Sequence, residues 1–315
     1  MFVSCFLIVS CHNCSFAVRE LPQVACGEDF SVALSSEGHV YTTGSAEFGQ
    51  LGNGQTGESL IAANKIVFAN CNVFTRRSTF CHAPAEKLYV NNDKAKVVPI
   101  VGEDIRIQAI ACGKHHALAV EADSPEMKPR VFSWGCGNYG CLGHGLQADE
   151  YYPRNIGSLF QVPTGGGGVK VSAGAHCSLL QCGNGHVYYW GKHRSVGEAV
   201  MRPQVVDALA NNGHVVTHCS AGGQTVVCTT STSQTVAWGQ GPHGELGIGA
   251  AKSSAKPTFV DALDGILLSG LACGYGHTLF VARNRSKDEV EAVQKLEQVT
   301  EDDVEELVEA AGGGN

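Results

Sequence analysis

Long apolar runs are missing from this 315-residue chain. None approaches the roughly 18 residues a membrane-crossing helix needs. Charged side chains are sparse at 17%, and the net charge of −8 argues against a broadly basic nucleic-acid binder. Met1–Ser10 lacks both a positive n-region and a clear A-x-A cleavage site, so it makes a poor signal peptide despite its apolar stretch. The one Cys-x-x-Cys, Cys11–Cys14, has no second pair at zinc spacing, so no metal site is expected. No Ser/His/Asp set or carboxylate pair stands out, which leaves no catalytic residue to name.

Glycine is abundant instead, with 39 residues and no G-X-Y period, so collagen is excluded. The 14 cysteines are also many. Cys26, Cys112 and Cys273 share the local string Ala-Cys-Gly, which reads as a small apolar residue in a repeated strand rather than a disulfide framework. A secreted, disulfide-bonded protein is the alternative that free thiols would sink. Charge is unevenly placed. Residues 283–315 hold four basic and ten acidic side chains, so −6 of the total −8 lies in the tail and the body is near neutral.

Internal repetition is the main signal. A strand-like string recurs five times around the anchor glycines Gly27, Gly113, Gly174, Gly222 and Gly274, spaced by 86, 61, 48 and 52 residues. Val24–Leu34 and Ile110–Val120 are two of its copies. A second string follows the first four: Val40-Tyr-Thr-Thr-Gly44, Val131-Phe-Ser-Trp-Gly135, Val187-Tyr-Tyr-Trp-Gly191 and Val236-Ala-Trp-Gly239. Val, Tyr, Phe and Trp favour strands, and Ser35–Gly38 or Gly183–Gly185 between the strings favours a hairpin turn. Next comes a tight Gly-x-Leu-Gly turn: Gly49–Gly52, Gly140–Gly143 and Gly244–Gly247. Copy three has lost it. A Pro-x-x-aliphatic strand start closes copies two to four at Pro153, Pro203 and Pro257, while copy one offers only Ala62–Ile66 there. Copies of about 50 residues with short strands and glycine turns predict an all-β fold, a β-propeller of four-stranded blades.

These strings resemble the repeat of the regulator of chromosome condensation family. Ala-Cys-Gly-x-x-His-x-x-Ala-Leu, Val-Phe-x-Trp-Gly, Gly-x-Leu-Gly-x-Gly and Pro-x-x-Ile carry the resemblance over residues 21–283. The run Val24–Gly54 and the long insertion before Ile110 look most like the family's mitotic branch, associated with the telophase disc and chromosomal passengers. The resemblance implies a seven-bladed propeller. Four copies and a terminal first string fall short of seven, so an incomplete arc of four to five blades is expected, with about 150 residues more needed upstream for a full ring. A closed five-bladed ring is the alternative. Residues 1–20 read as an unstructured or aberrant start, and residues 284–315 as an acidic, partly helical tail.

The resemblance further implies a non-enzymatic scaffold for a small GTPase of the Rac, Ral or Ran type, with guanine nucleotide exchange open and a role in mitosis, in the nucleus and cytoplasm, on chromosomes or the spindle. A chromatin or microtubule adaptor without exchange activity stays open beside it. No cofactor, small-molecule substrate or membrane partner is expected. Gly135–Gly140 and Gly239–Gly244 match G-x-G-x-x-G but lead into another glycine turn rather than a helix, which excludes a dinucleotide site. The third residue after an anchor is His116 in copy two and His277 in copy five; recurrence marks both as structural. The insertion at residues 55–108 carries Arg76, Arg77, Lys94 and Lys96, the expected partner contacts. Leu88–Val90 and Val97–Val101 read as a projecting hairpin around Asn91–Asp93. Apolar residues from Val290 to Val308 make a helical stripe over Lys287–Glu309, either a docking helix for a basic partner or a solvated one.

Overall fold

The computed structural model describes residues 21–55, 58–61, 65–82, 99–122, 130–156, 168–193, 197–210, 213–249 and 251–296. The expected strands form where β-branched and aromatic residues alternate, and the hairpin turns of blades 1 and 3 close on glycines at positive φ, Gly38 (φ +79) and Gly185 (φ +83).

Blade 1 comprises β1 (Gln23–Cys26), β2 (Phe30–Leu34) and β3 (Val40–Gly44). After a separate hairpin of β4 (Ser59–Ile61) and β5 (Lys65–Val67), the blade ends in β6 (Cys71–Arg77), giving the order β1-β2-β3-β6. Blade 2 is β7 (Ile107–Cys112), β8 (His116–Glu121), β9 (Val131–Gly135) and β10 (Glu150–Asn155). Blade 3 is β11 (Lys170–Ala173), β12 (Cys177–Gln181), β13 (Val187–Gly191) and β14 (Val200–Val205). A one-turn helix, α1 (Asp207–Ala210), leads to blade 4: β15 (Val216–Ala221), β16 (Thr225–Thr230), β17 (Thr235–Gly239) and β18 (Ser254–Phe259). A fifth, two-stranded sheet holds β19 (Leu268–Cys273) and β20 (Thr278–Ala282). All pairings within these five sheets are antiparallel.

The fourth strand of copy one therefore lies at Cys71–Arg77, not at Ala62–Ile66 as the sequence suggests. Gly44 pairs with Cys71 across a register shift, and Val40 with Arg77. The prolines also sit differently from expectation. Pro153, Pro203 and Pro257 lie inside β10, β14 and β18 rather than at their first residue. Each of these is an outer edge strand with a register shift against its neighbour, where a missing N–H costs no ladder bond.

The core lies between blades. In β8, Ala117 and Ala119 pack into the cluster shared with blade 1, while Leu118 and Val120 pack into the cluster shared with blade 3. One strand thus buries both faces, which explains strings that read as nearly continuous apolar runs. β7 packs on β1 and β2, β11 on β7 and β8, β15 on β12, and β19 on β15 and β16. Among the described residues no comparable contact joins blade 1 to β19 or β20, so these blades form an open arc rather than a closed five-bladed ring. The tail begins as α2 (Lys287–Gln294), whose Ser286 and Glu289 form a reciprocal capping box. The rest of the expected helix lies outside the described residues. The eleven cysteines among the described residues are free thiols.

Candidate interaction face

The anchor glycines build the inner rim of the arc. A Cβ on Gly113 would lie 2.3 Å from the Gly174 carbonyl oxygen. Gly174 meets Gly222 at the same 2.3 Å, and Gly222 meets Gly274 likewise. Successive backbones approach too closely for any side chain, and backbone bonds tie them together: Glu28 N donates to Lys114 O (2.9 Å), and Gly223 N to Gly274 O (3.0 Å).

His116 faces the next blade. It is fully buried, and its Nε2 lies 2.9 Å from Ser178 Oγ on blade 3. Burial pushes its pKa down to about 3, helped by His176 and His115, so the ring is neutral. His277 occupies the same repeat position but is exposed.

The Gly-x-Leu-Gly turns lock one blade to the next. Leu51, Leu142 and Leu246 are buried. Within a blade, Thr42 Oγ1 donates to Leu51 O (2.7 Å) and Ser133 Oγ to Leu142 O (2.7 Å). Across blades, the carbonyl of the x residue is the acceptor: Trp134 Nε1 donates to Gln50 O (2.9 Å), Trp190 Nε1 to Cys141 O (2.7 Å), and Thr278 Oγ1 to Glu245 O (2.8 Å). Replacing Trp134 by Phe leaves the buried Gln50 carbonyl without its indole donor. We expect a loss of about 2 kcal/mol, read as a lower thermal unfolding midpoint with unchanged circular dichroism.

The residue before each turn glycine reaches onto the loop that follows the next anchor. The Phe48 ring lies 4.8 Å from His115, and Tyr139 lies 4.9 Å from His176. Tyr139 holds a left-handed backbone, φ +58, and carries the Lys192 ammonium 5.3 Å over its ring. His243 approaches Gly276 in the same way. Glu28 pairs with Lys114 (3.3 Å) and His115 (3.0 Å). Glu28, Asp29 and His115 bring ligand atoms within 4.8 Å of one another, but the Lys114 ammonium already satisfies the Glu28 carboxylate. Burial, then Lys114 and His115, lowers the His176 pKa. The sequence reading missed this row of rings, although its signal was present: Phe48, Tyr139 and His243 share one repeat position.

The expected partner contacts lie at the opposite end of the blade. Arg76 and Arg77 end β6 beside the start of β3, next to the Ser35–His39 turn. They belong to the outer strand of the blade itself rather than to an insertion beyond it. Arg77 Nε donates to Thr42 Oγ1 (2.6 Å), so Arg77 supports the Leu51 turn. Arg76 is exposed. Arg106 joins this end, with Nη1 on Glu37 O (2.6 Å) and 2.7 Å from His39 Nε2. Burial lowers the His39 pKa, and Arg76 and Arg106 lower it further. Lys94, Lys96 and the expected hairpin around Asn91–Asp93 lie outside the described residues.

The model of the regulator of chromosome condensation (RCC1) repeat matches residues 130–181 and 237–281, and a second model of that repeat matches residues 23–50. The chain belongs to the RCC1 repeat family. It is 33% identical to "Protein RCC2" of Mus musculus over 286 residues, covering 90% of this chain and 51% of that protein. The chain thus spans about half the length of the curated relatives it matches. Solved RCC1-type structures share the fold. Human WBSCR16 superposes with a TM-score of 0.62 at 22% identity, covering 87% of this chain and 61% of that one. Prp20p of Saccharomyces cerevisiae, described with its binding to Gsp1p and histones, gives 0.60 at 19% identity over 89% and 60%. In RCC1-repeat terms, the anchor strings are the first two strands of each blade, and the Gly-x-Leu-Gly turn opens the link from third strand to fourth.

Proposed function

We propose that this chain is an interaction scaffold for a small GTPase of the Rac, Ral or Ran type, contacted through the basic end of blade 1. One observation carries the reading: exposed Arg76 at the end of β6 and Arg106, 2.7 Å from His39 Nε2, come together beside His39, with Glu37 and Asp104 as their acidic neighbours. The likeness in fold to Prp20p supports it. Lys94 and Lys96 are proposed as further contacts. Nucleotide exchange would be mechanical. The scaffold would displace the phosphate-holding loops of its partner and need no acid or base of its own. The working place is the nucleus and cytoplasm, on mitotic chromosomes or the spindle. A chromatin adaptor is the second reading, favoured by the histone binding described for Prp20p.

The test uses Arg76→Glu, because Arg76 is exposed and Arg77 is tied into the fold. Arg76→Glu is expected to weaken capture of the purified GTPase about tenfold, mostly through slower association, and the loss should shrink at high salt. Unchanged binding would remove this end of blade 1 as the contact. Release of labelled nucleotide, with and without the chain, separates an exchange factor from an adaptor.

A further inference from the structure

We propose that Cys219 and Cys228 are a modification site, a reversible cross-strand disulfide that a hydroperoxide closes and a small thiol reopens.

β15 and β16 place the two residues directly opposite one another. Gly222 N donates to Thr225 O (2.7 Å), which sets the alternation of the ladder. Counting back from that bonded pair, Ala221–Val226 is non-bonded, Ser220–Val227 is bonded and Cys219–Cys228 is non-bonded. A non-bonded antiparallel pair holds its Cα atoms about 4.5 Å apart with both Cβ atoms on one face, within the roughly 4.4 to 6.8 Å that a disulfide spans. Both side chains pack into the cluster between blades 3 and 4, Cys228 in its buried core and Cys219 at its margin.

No other two cysteines among the described residues are register partners. Cys26 faces Ser31, Cys112 faces Ala117, Cys177 faces Gly191 and Cys273 faces Thr278. The repeat sets this pair apart as well. Its equivalents in the other copies are Val24–Ala33, Ile110–Ala119, Val171–Leu180 and Leu271–Phe280. Apolar residues fill the position four times, so packing alone does not call for a thiol there. In copy four both partners are cysteine together, which is what a bond between them requires.

The two thiols take different parts. Cys219 is only partly buried and lies beside the register shift at Val216–His218, whereas Cys228 is 0% exposed. The Cys219 thiolate attacks one peroxide oxygen. The O–O bond breaks, leaving a sulfenic acid on Cys219 and releasing an alcohol. The Cys228 sulfur then forms the S–S bond and the sulfenic hydroxyl leaves as water. Two thiols and one hydroperoxide thus give one disulfide, one alcohol and one water, and the two electrons lost by sulfur reduce the peroxide. Exchange through a mixed disulfide reverses the change, turning two small thiols into their own disulfide. Burial pushes the Cys219 pKa up to about 12, with Lys170 opposing and Cys273 and Cys182 adding to it, and burial raises Cys228 too. Thiolate is therefore scarce at neutral pH, and closure is slow there. The bond would staple β15, the strand through which blade 4 packs on β12 and β19.

The test treats the folded full chain with hydrogen peroxide and maps its thiols by mass. Trypsin releases residues 195–252 as one peptide, which holds Cys219 and Cys228 and no other cysteine. That peptide is expected to lose the mass of two hydrogens and to regain it with dithiothreitol. The rate of closure should rise about tenfold per pH unit between roughly pH 7 and 9. Once closed, the hairpin should withstand protease about tenfold longer. Cys219→Val, which installs the residue of copies one and three, should abolish the mass change and the protection and leave Cys228 reduced. Cys228→Ala should stop Cys219 at the sulfenic acid, trapped by dimedone. If Cys228→Ala fails to fold, Cys219→Val alone carries the comparison. Sulfinic or sulfonic acid at either residue in place of the bond overturns the proposal. So does a bond from either to a third cysteine, or thiols left unchanged by peroxide at about pH 9.

Discussion

Gly113→Ala is expected to destabilise the protein by about 3 kcal/mol or more, among the most damaging single methyl additions the chain could carry. The new Cβ would sit 2.2 Å from its own His116 ring and 2.3 Å from the Gly174 oxygen. Neither neighbour can retreat. The His116 ring is fixed by its bond to Ser178, and the Gly174 oxygen belongs to the backbone of the adjoining blade. The strain therefore falls on the joint between blades 2 and 3. Urea unfolding at neutral pH measures it. Gly168→Ala is the control, because a Cβ there meets nothing within 4 Å and the backbone is not left-handed. That change should be neutral or slightly stabilising through the unfolded chain. Equal effects at the two positions would mean that close approach is not what requires Gly113.

Acidification from pH 7 to about 4.5 should remove roughly 5 kcal/mol of stability, again read by urea unfolding. Two buried imidazoles dominate. His116 and His144 are each lowered to a pKa of about 3, both chiefly by burial. His144 also faces Arg154 and Arg202, and its Nε2 lies 3.0 Å from Ser133 Oγ. The unfolded chain takes up protons near the ordinary histidine value of 6.5. The folded chain resists protonation until about pH 3. Between those values the unfolded state binds more protons, so stability is complete above about pH 6.5 and falls as the pH drops. Each ring contributes roughly 2 to 3 kcal/mol by pH 4.5. His116→Gln, less stable at pH 7, should lose about half of this pH dependence. An unaltered slope would show that His116 does not carry the buried neutral charge state. Burial lowers His39, His176 and His218 as well, so they add in the same direction.

The repeat was legible because each copy repeats its own local physics. A strand pair with a glycine turn needs neighbours only a few residues away, so Val131–Gly135 and Gly140–Gly143 announce themselves in any copy. The outer strand of copy one was not legible. Cys71–Arg77 lacks the Pro-x-x-aliphatic signal and begins 27 residues after Gly44, beyond the β4–β5 hairpin. The corresponding strands β10 and β18 begin 15 residues after Gly135 and Gly239. The misplaced strand carried a second error with it, since Arg76 and Arg77 then fell into an insertion instead of a blade edge. The aromatic row of Phe48, Tyr139 and His243 was overlooked because its meaning lies in the next copy, at His115, His176 and Gly276.

From its residues alone this chain determines an all-β repeat of about 50 residues and the order of the first three strands within a copy. These depend on contacts within a copy or on recurrence between copies. Only the tertiary structure decides why the anchors are glycine, which carbonyl each Trp reaches, and which end of a blade each charge occupies. Those contacts join residues of different blades, 62 apart for His116 and Ser178 and 84 apart for Trp134 and Gln50. Separations of that size follow from how each sheet lies on the next, and no local pattern in the chain encodes it.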